Sequence, residues 1–346
     1  MTQNSTLGTV SVAAIRQYLR AADHHGIATP PLLRAAGLSE TDLRADDDRV
    51  DGARFQTFLR HLCDSADDPV FGLRTGDFVE PGSYSVLGYI TMSCATLGEA
   101  VQRITPYERL VGDMGLTRIE QHGDEVHLVW QCAYTDPVVR AHMTDNVFGS
   151  WINYARWLGG ESDAGPIRVA LERPSPGERW EHTYRQRWGC AVHFEASDNR
   201  VVTDAALLSE PLRHPAPSLR RTLEAHARDQ MAAIDSDTTL VTRARVAIRH
   251  HLLQGVTRQD LIANELGMTS RTLQRRLSQE GVSYQQVLDE VRQSLAEDYL
   301  QRTDLPIPDI ALRLGFSETT SFHRYFRHRV GTTPGEFRQQ ATRQDS

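Results

Sequence analysis

Apolar positions recur along this chain first at helical spacing, then briefly at a period of two, then at helical spacing again, and those changes outline its architecture. The run from Val12 to Leu19 predicts an opening helix, and Thr29-Pro30-Pro31 opens a second, short one. Phe55, Phe58, Leu59 and Leu62 share one face of a helix beginning near Asp51. Another helix is expected over 85–94. Thr96-Leu97-Gly98-Glu99 then has the Thr-x-x-Glu form in which cap and third residue satisfy each other's backbone donors.

The period shortens at residue 116. Leu116 to Gln121 and Glu125 to Cys132 flank His122-Gly123-Asp124, which suits a β-hairpin with Val126, Leu128 and Trp130 turned to one side. A long helix is expected from Pro137, capped by Asp136 and ending at Gly159-Gly160. Short strands over 167–171, 192–194 and 200–202, with a helix over 178–188, complete an α+β domain spanning 12–210. Three prolines between Ser209 and Pro217 interrupt regular structure. A linker over 211–239 follows. It holds a bridging helix from about Ser218 to Ile234, with Leu219, Leu223, His226 and Met231 on or near its apolar side, and an expected hinge at Asp235-Ser236-Asp237-Thr238-Thr239.

Residues 240–340 contain a degenerate repeat: Ile262-Ala263-x-x-Leu266-Gly267-Met268-Thr269 returns as Ile310-Ala311-x-x-Leu314-Gly315-Phe316-Ser317. Each copy reads as a helix-turn-helix. Ile, Ala and Leu bury one face of a short helix, Ala admits a close crossing, Gly permits the turn, and Thr or Ser caps the next helix. In the helix after the first turn, Leu273 and Leu277 face inward, so Arg271, Gln274, Arg275 and Ser278 fall on the opposite stripe. One residue later in the second copy, Phe322 and Phe326 face inward and Thr319, Thr320, His323, Arg324 and Arg327 outward. Arginine reads guanine through two bonds, Gln pairs with adenine, and Thr offers a hydroxyl and a methyl. Arg276 and Arg329 sit off the stripes, as phosphate or surface contacts would. Ser283-Tyr284-Gln285-Gln286 caps a linker helix carrying Val287, Leu288, Val291, Leu295 and Tyr299. That helix is expected to hold the reading helices about one turn of DNA apart, roughly 34 Å. The expected fold is thus an α+β amino-terminal domain followed by an all-α domain with two helix-turn-helix units joined by a linker helix.

LGMTSRTLQRRLSQEGVSY and IALRLGFSETTSFHRYFRHRVGTTPGEFR resemble the DNA-binding domain of AraC-type (AraC/XylS) transcription regulators over essentially all of 240–340. The resemblance implies base contacts from Arg271, Gln274 and Arg275 in one helix and from Thr319, Thr320, His323 and Arg324 in the other. In one departure, Pro306 stands where a serine cap is often found, with Pro308 close behind. Residues 12–210 resemble, less closely, the arabinose-binding-like effector domain of this family. That resemblance implies a small-molecule effector, a homodimer, or both, without implying arabinose. An activator engaging double-stranded operator DNA and RNA polymerase is the implied function.

Composition narrows the alternatives. With 346 residues, 40% hydrophobic and 24% charged, the chain belongs with ordinary globular proteins of about two domains. A cytoplasmic location is expected, because the first thirty residues lack a basic start with an apolar run and no eighteen-residue apolar stretch exists. The net charge of −7 argues against a nucleic-acid partner until it is divided. Residues 240–346 carry 15 arginines against 12 acidic residues, whereas 1–239 carry 23 against 33. Cys63, Cys94, Cys132 and Cys190 show no CxxC spacing and read as reduced thiols. No metal or cofactor is expected: the pairs His24-His25 and His250-His251 lack a partner at ligand spacing.

No enzyme motif is present either, neither Gly-x-Ser-x-Gly nor a phosphate-binding loop. None of the cysteines has the Pro-Cys-His-Arg setting of DNA-repair alkyltransferases that carry a similar DNA-binding domain. Trp130, Trp151, Tyr154 and Trp157 suit a small-ligand pocket, with core packing around the hairpin the simpler reading. A purely dimerising amino-terminal module stands as the alternative to an effector domain.

Overall fold

The structure is a computed structural model that describes residues 7–45, 48–160, 165–237, 239–253, 255–256 and 258–344. In chain order the amino-terminal elements are β1 (Thr9–Ser11), α1 (Val12–His24), α2 (Thr29–Ala35), β2 (Arg49–Asp51), α3 (Gly52–Ala66), α4 (Phe71–Thr75), α5 (Val86–Met92), α6 (Leu97–Val101) and α7 (Ile104–Val111). Then come β3 (Gly115–His122), β4 (Glu125–Cys132), α8 (Pro137–Gly159), β5 (Arg168–Ala170), α9 (Glu178–Trp188), β6 (Ala191–His193), β7 (Arg200–Asp204) and α10 (Pro217–Asp237). The remainder is helical: α11 (Leu240–Leu253), α12 (Gln259–Glu265), α13 (Ser270–Gln279), α14 (Tyr284–Arg302), α15 (Ile307–Arg313), α16 (Thr319–Val330) and α17 (Pro334–Gln344). An α+β region followed by a helical one is the expected fold class.

Compact units divide the chain at Ile234 and Asp235, with Leu7, Gly8 and residues 133–137 grouped with the carboxyl-terminal unit. In the amino-terminal unit a five-stranded sheet runs in the order β3-β4-β7-β5-β6, antiparallel except for β5 beside β6. Gly123, at φ 61, opens the two-residue turn between β3 and β4, where His122 pairs with Glu125. Val126, Leu128 and Trp130 share a face as expected, yet His127 and Val129 on the other face are buried too. The reason is position: β4 lies inside the sheet, covered on both sides.

The 23-residue helix α8 is apolar around most of its circumference, as a core helix should be. Helix α4 approaches it closely because Gly72 has no side chain. A Cβ there would lie 2.1 Å from the carbonyl oxygen of His142. Asp145 of α8, fully buried, accepts from the Tyr184 hydroxyl at 2.6 Å and pairs with Arg173.

Two local expectations change. Thr96 caps α6 by accepting from Glu99 N at 3.2 Å, but Glu99 accepts from Ala95 N at 3.1 Å, so the reciprocal half of the box moves one residue upstream. Thr96 is itself in a β-bridge with Pro211. On α10, Leu223, Ala227, Met231 and Ile234 pack on Ile90 and Leu110, while Leu219 (47% exposed) and His226 face water. The apolar stripe therefore begins one turn later than the sequence pattern places it. Helix α10 continues to Asp237, through most of the expected hinge, and Thr238 lies outside the described residues.

Candidate nucleic-acid interface

One core runs through the whole carboxyl-terminal helical region. Leu273 and Leu277 of α13, Phe322 and Phe326 of α16, and Val287, Val291 and Leu295 of the linker α14 are all fully buried within it. Helix α14 has 19 residues, a rod of about 28 Å at the α-helical rise. Its start carries the complete capping box, with Ser283 Oγ accepting from Gln286 N and Gln286 Oε1 accepting from Ser283 N at 2.7 Å. The second unit is fastened to it by polar contacts as well. The Tyr325 hydroxyl donates to Asp289 O at 2.6 Å, Arg292 Nε donates to Leu314 O at 3.0 Å, and the Arg292 guanidinium lies over the Phe316 ring.

The two turns share their glycine geometry and differ in their caps. Gly267 and Gly315 both adopt left-handed φ, 71 and 76. Thr269 caps α13 by accepting from Thr272 N at 3.2 Å. Ser317 does not cap α16. That helix starts at Thr319 with Glu318 in the cap position and no side-chain cap bond. The extra residue before Phe322 that displaces the anchors also carries the helix start beyond the reach of Ser317. Helix α15, preceded by Pro306, likewise lacks a side-chain cap. It places Pro308 at its second position, where a missing N–H removes a donor that would otherwise need satisfying.

Seven side chains were singled out for base reading. Arg271, Gln274 and Arg275 are exposed on α13, as are Thr320 and Arg324 on α16, whereas Thr319 and His323 are half-buried. The His323 ring rests edge-on against Phe322. Gln274 Nε2 donates to Gln259 Oε1 at 3.2 Å, and the Thr320 hydroxyl donates to Glu318 at 3.2 Å.

Several arginines of this region are ion-paired. Arg243 pairs with Asp235, Arg245 with Glu290, Arg249 with Asp298 and Arg258 with Asp260. Arg271, Arg275 and Arg324, like Arg276, Arg313, Arg327 and Arg329, have no ion-pair partner among the described residues. Unneutralised guanidinium groups on two exposed helical faces supply paired donors for an acceptor-rich surface such as a base edge or phosphate.

The sequence pattern left α11 unassigned, although Leu240, Ala244, Ala247 and Ile248 recur at helical spacing and all are buried. Its Arg249 is 1% exposed and donates through Nε to Ala133 O at 3.0 Å, a contact no local pattern signals.

One group has metal-ligand proximity: atoms of Glu120, His122 and His127 lie within 4.8 Å of one another. Hydrogen bonding accounts for it. Arg200, always protonated, donates to His127 Nδ1 at 3.0 Å, so the neutral ring carries its proton on Nε2, which donates to Glu125 at 3.0 Å. Neither nitrogen of His127 then offers a lone pair. The four cysteines are free thiols, three of them buried. Among the described residues, no helix is long and apolar enough to cross a membrane.

Comparison with known proteins places these observations. Residues 26–212 match the model for the arabinose-binding domain of AraC transcription regulators, and residues 262–340 match a helix-turn-helix domain model. The ornithine utilization regulator of Pseudomonas aeruginosa is 28% identical over 97% of this chain and 98% of its own length. The HTH-type transcriptional regulator VirS of Mycobacterium tuberculosis is 33% identical over 89% of this chain and 90% of its own. The crystal structure of the transcriptional regulator CdpR from Pseudomonas aeruginosa superposes with a TM-score of 0.48 at 21% identity, covering 94% of this chain and 98% of CdpR.

Proposed function

The chain belongs to the AraC family of transcription regulators, and from that premise we propose that it is an effector-responsive activator that reads its operator with α13 and α16. The observation that carries this reading is the pair of exposed, arginine-bearing faces on the two helices that follow the Gly turns. Arg245 and Arg249 are ion-paired within the carboxyl-terminal unit, whereas Arg271, Arg275 and Arg324 stand unneutralised on those two helices, opposite their buried anchors. Arg271, Gln274 and Arg275 would contact one stretch of major groove, and Thr319, Thr320, His323 and Arg324 the next. The two faces differ in sequence, so each monomer takes an asymmetric, non-palindromic half-site.

Residues 12–210 act as the sensor, 211–239 as the link and 240–340 as the reader. A small molecule that binds one arrangement of the chain better than another shifts the population competent for DNA, with RNA polymerase and a second copy of the chain as further partners. No catalytic step is required.

Fluorescence anisotropy with an operator found by genome-wide mapping of bound sites tests the assignment. Arg275→Ala and Arg324→Ala should each weaken specific binding by about 1–3 kcal/mol and relax preference at one base position. Arg276→Ala should instead weaken all sequences alike. Wild-type binding to operator and random DNA by both of the first two variants contradicts the assignment.

A further inference from the structure

The amino-terminal unit has a partly open cavity of about 200 Å³ between α8 and the inner face of the sheet. Its floor is built from cross-strand neighbours, Trp130 opposite Thr117 and Leu128 opposite Val201. Trp151 and Tyr154 of α8 supply aromatic surface above it. Three of the four aromatic residues singled out from sequence thus line a space, while Trp157, 38% exposed, stacks on Tyr154 outside the lining.

The charges around this space are unbalanced. Among the described residues no arginine or histidine lines it, the chain has no lysine, and the one charged lining residue is Glu108. Among the described residues at the wall, the Tyr84 hydroxyl and Thr203 Oγ1 are buried without a hydrogen-bond partner and are neutral, while other polar groups are engaged with protein. Gln17 Nε2 donates to Thr75 O at 3.0 Å and to Ser150 Oγ at 2.8 Å, and Asn146 Nδ2 donates to Thr75 Oγ1 at 2.7 Å. The Tyr154 hydroxyl donates to Gly88 O at 2.7 Å, and Glu108 accepts from Thr117 N at 3.0 Å.

A buried carboxylate or phosphate needs a compensating donor set, and a buried anion beside a carboxylate is penalised further. An apolar cavity of about 150 Å³ takes a benzene ring, so this one suits a molecule of one or two fused rings. We infer that this cavity is the effector site and that its ligand is an uncharged, mainly apolar cyclic molecule, not an amino acid, a sugar phosphate or a fatty acid. The inference rests on the sensor reading above and adds the chemical class of what is sensed.

The test pairs neutral probes with anions of nearly the same shape: 2-naphthol with 2-naphthoate, and indole with indole-3-carboxylate. Binding to the full chain is measured by calorimetry and by the rise in melting temperature, which follows ligand affinity by mass action. In at least one pair the neutral member should bind at least tenfold more tightly. Ala155→Phe, on α8, and Ala100→Leu, on α6, each narrow the cavity from a different wall. Whichever variant keeps a cooperative melt should lose that binding by at least tenfold. Equal or tighter binding of both anions, no binding of either neutral probe, or undiminished binding by the filled variants would overturn the inference. Operator affinity measured with and without the bound neutral probe separates the two claims. Unchanged affinity would refute the sensor reading while the ligand class stood.

Discussion

At the residue scale, burial and partnering divide chemically identical side chains by task. Arg249 and Arg324 carry the same guanidinium group, yet one is sealed against Asp298 and Ala133 O and the other stands in water unneutralised. Sequence reasoning found Arg324 because it lies opposite Phe322 and Phe326 on a helix. It did not find Arg249, whose partners are more than forty residues away in the chain. Histidine gives a sharper test. His142 of α8 accepts from Gly72 N at 3.0 Å, and burial, helped by the Arg173 charge, lowers its pKa from 6.5 to about 4. Its folded pKa is depressed, so protons favour the unfolded chain. This contribution is complete above about pH 6.5 and is lost as pH falls from 6.5 to 4, on the order of 3 kcal/mol in all. Chemical denaturation across that range should show a shallower pH slope for His142→Gln than for wild type; equal slopes would show that His142 titrates normally.

At the element scale, what was legible in the sequence was what a short stretch determines. The helix over Glu178–Trp188, the hairpin at Gly123 and the buried pairs Leu273/Leu277 and Phe322/Phe326 each follow from local period and turn residues. Features set by distant partners were not legible. The strands β1 and β2, three residues each, pair with each other across the intervening helices, and Arg49 donates to Leu110 O at 3.0 Å, to Arg109 O at 3.0 Å and to Thr9 Oγ1 at 2.7 Å, tying separate segments together. The repeat also misled where its copies diverge by one residue. Thr269 caps its helix and Ser317 does not, although they occupy equivalent places in the repeat. Thr269→Ala should therefore cost about 1 kcal/mol in equilibrium unfolding, and Ser317→Ala less than about 0.3 kcal/mol. Equal losses would mean that Ser317 supports its helix after all.

At the scale of the whole molecule, a chain of net charge −7 engages a polyanion because its arginines are distributed unevenly. The carboxyl-terminal region adds only a small positive excess, so the account depends on where those groups stand. A continuous core joins both helix-turn-helix units through α14, which holds them in one geometry relative to each other. The candidate interface was legible because it repeats within a hundred residues. The cavity was legible only as a candidate, since Trp130 and Trp151 come to one space only when the sheet and α8 pack, and nothing in sequence separates a lined space from a filled one.

The most direct measurement is guanine-methylation interference on the mapped operator with the wild-type chain, Arg275→Ala and Arg324→Ala. The account predicts two clusters of interfering major-groove positions about 10 base pairs apart on one side of the DNA, one weakened by each variant. A single cluster, or two clusters that neither variant alters, would contradict it.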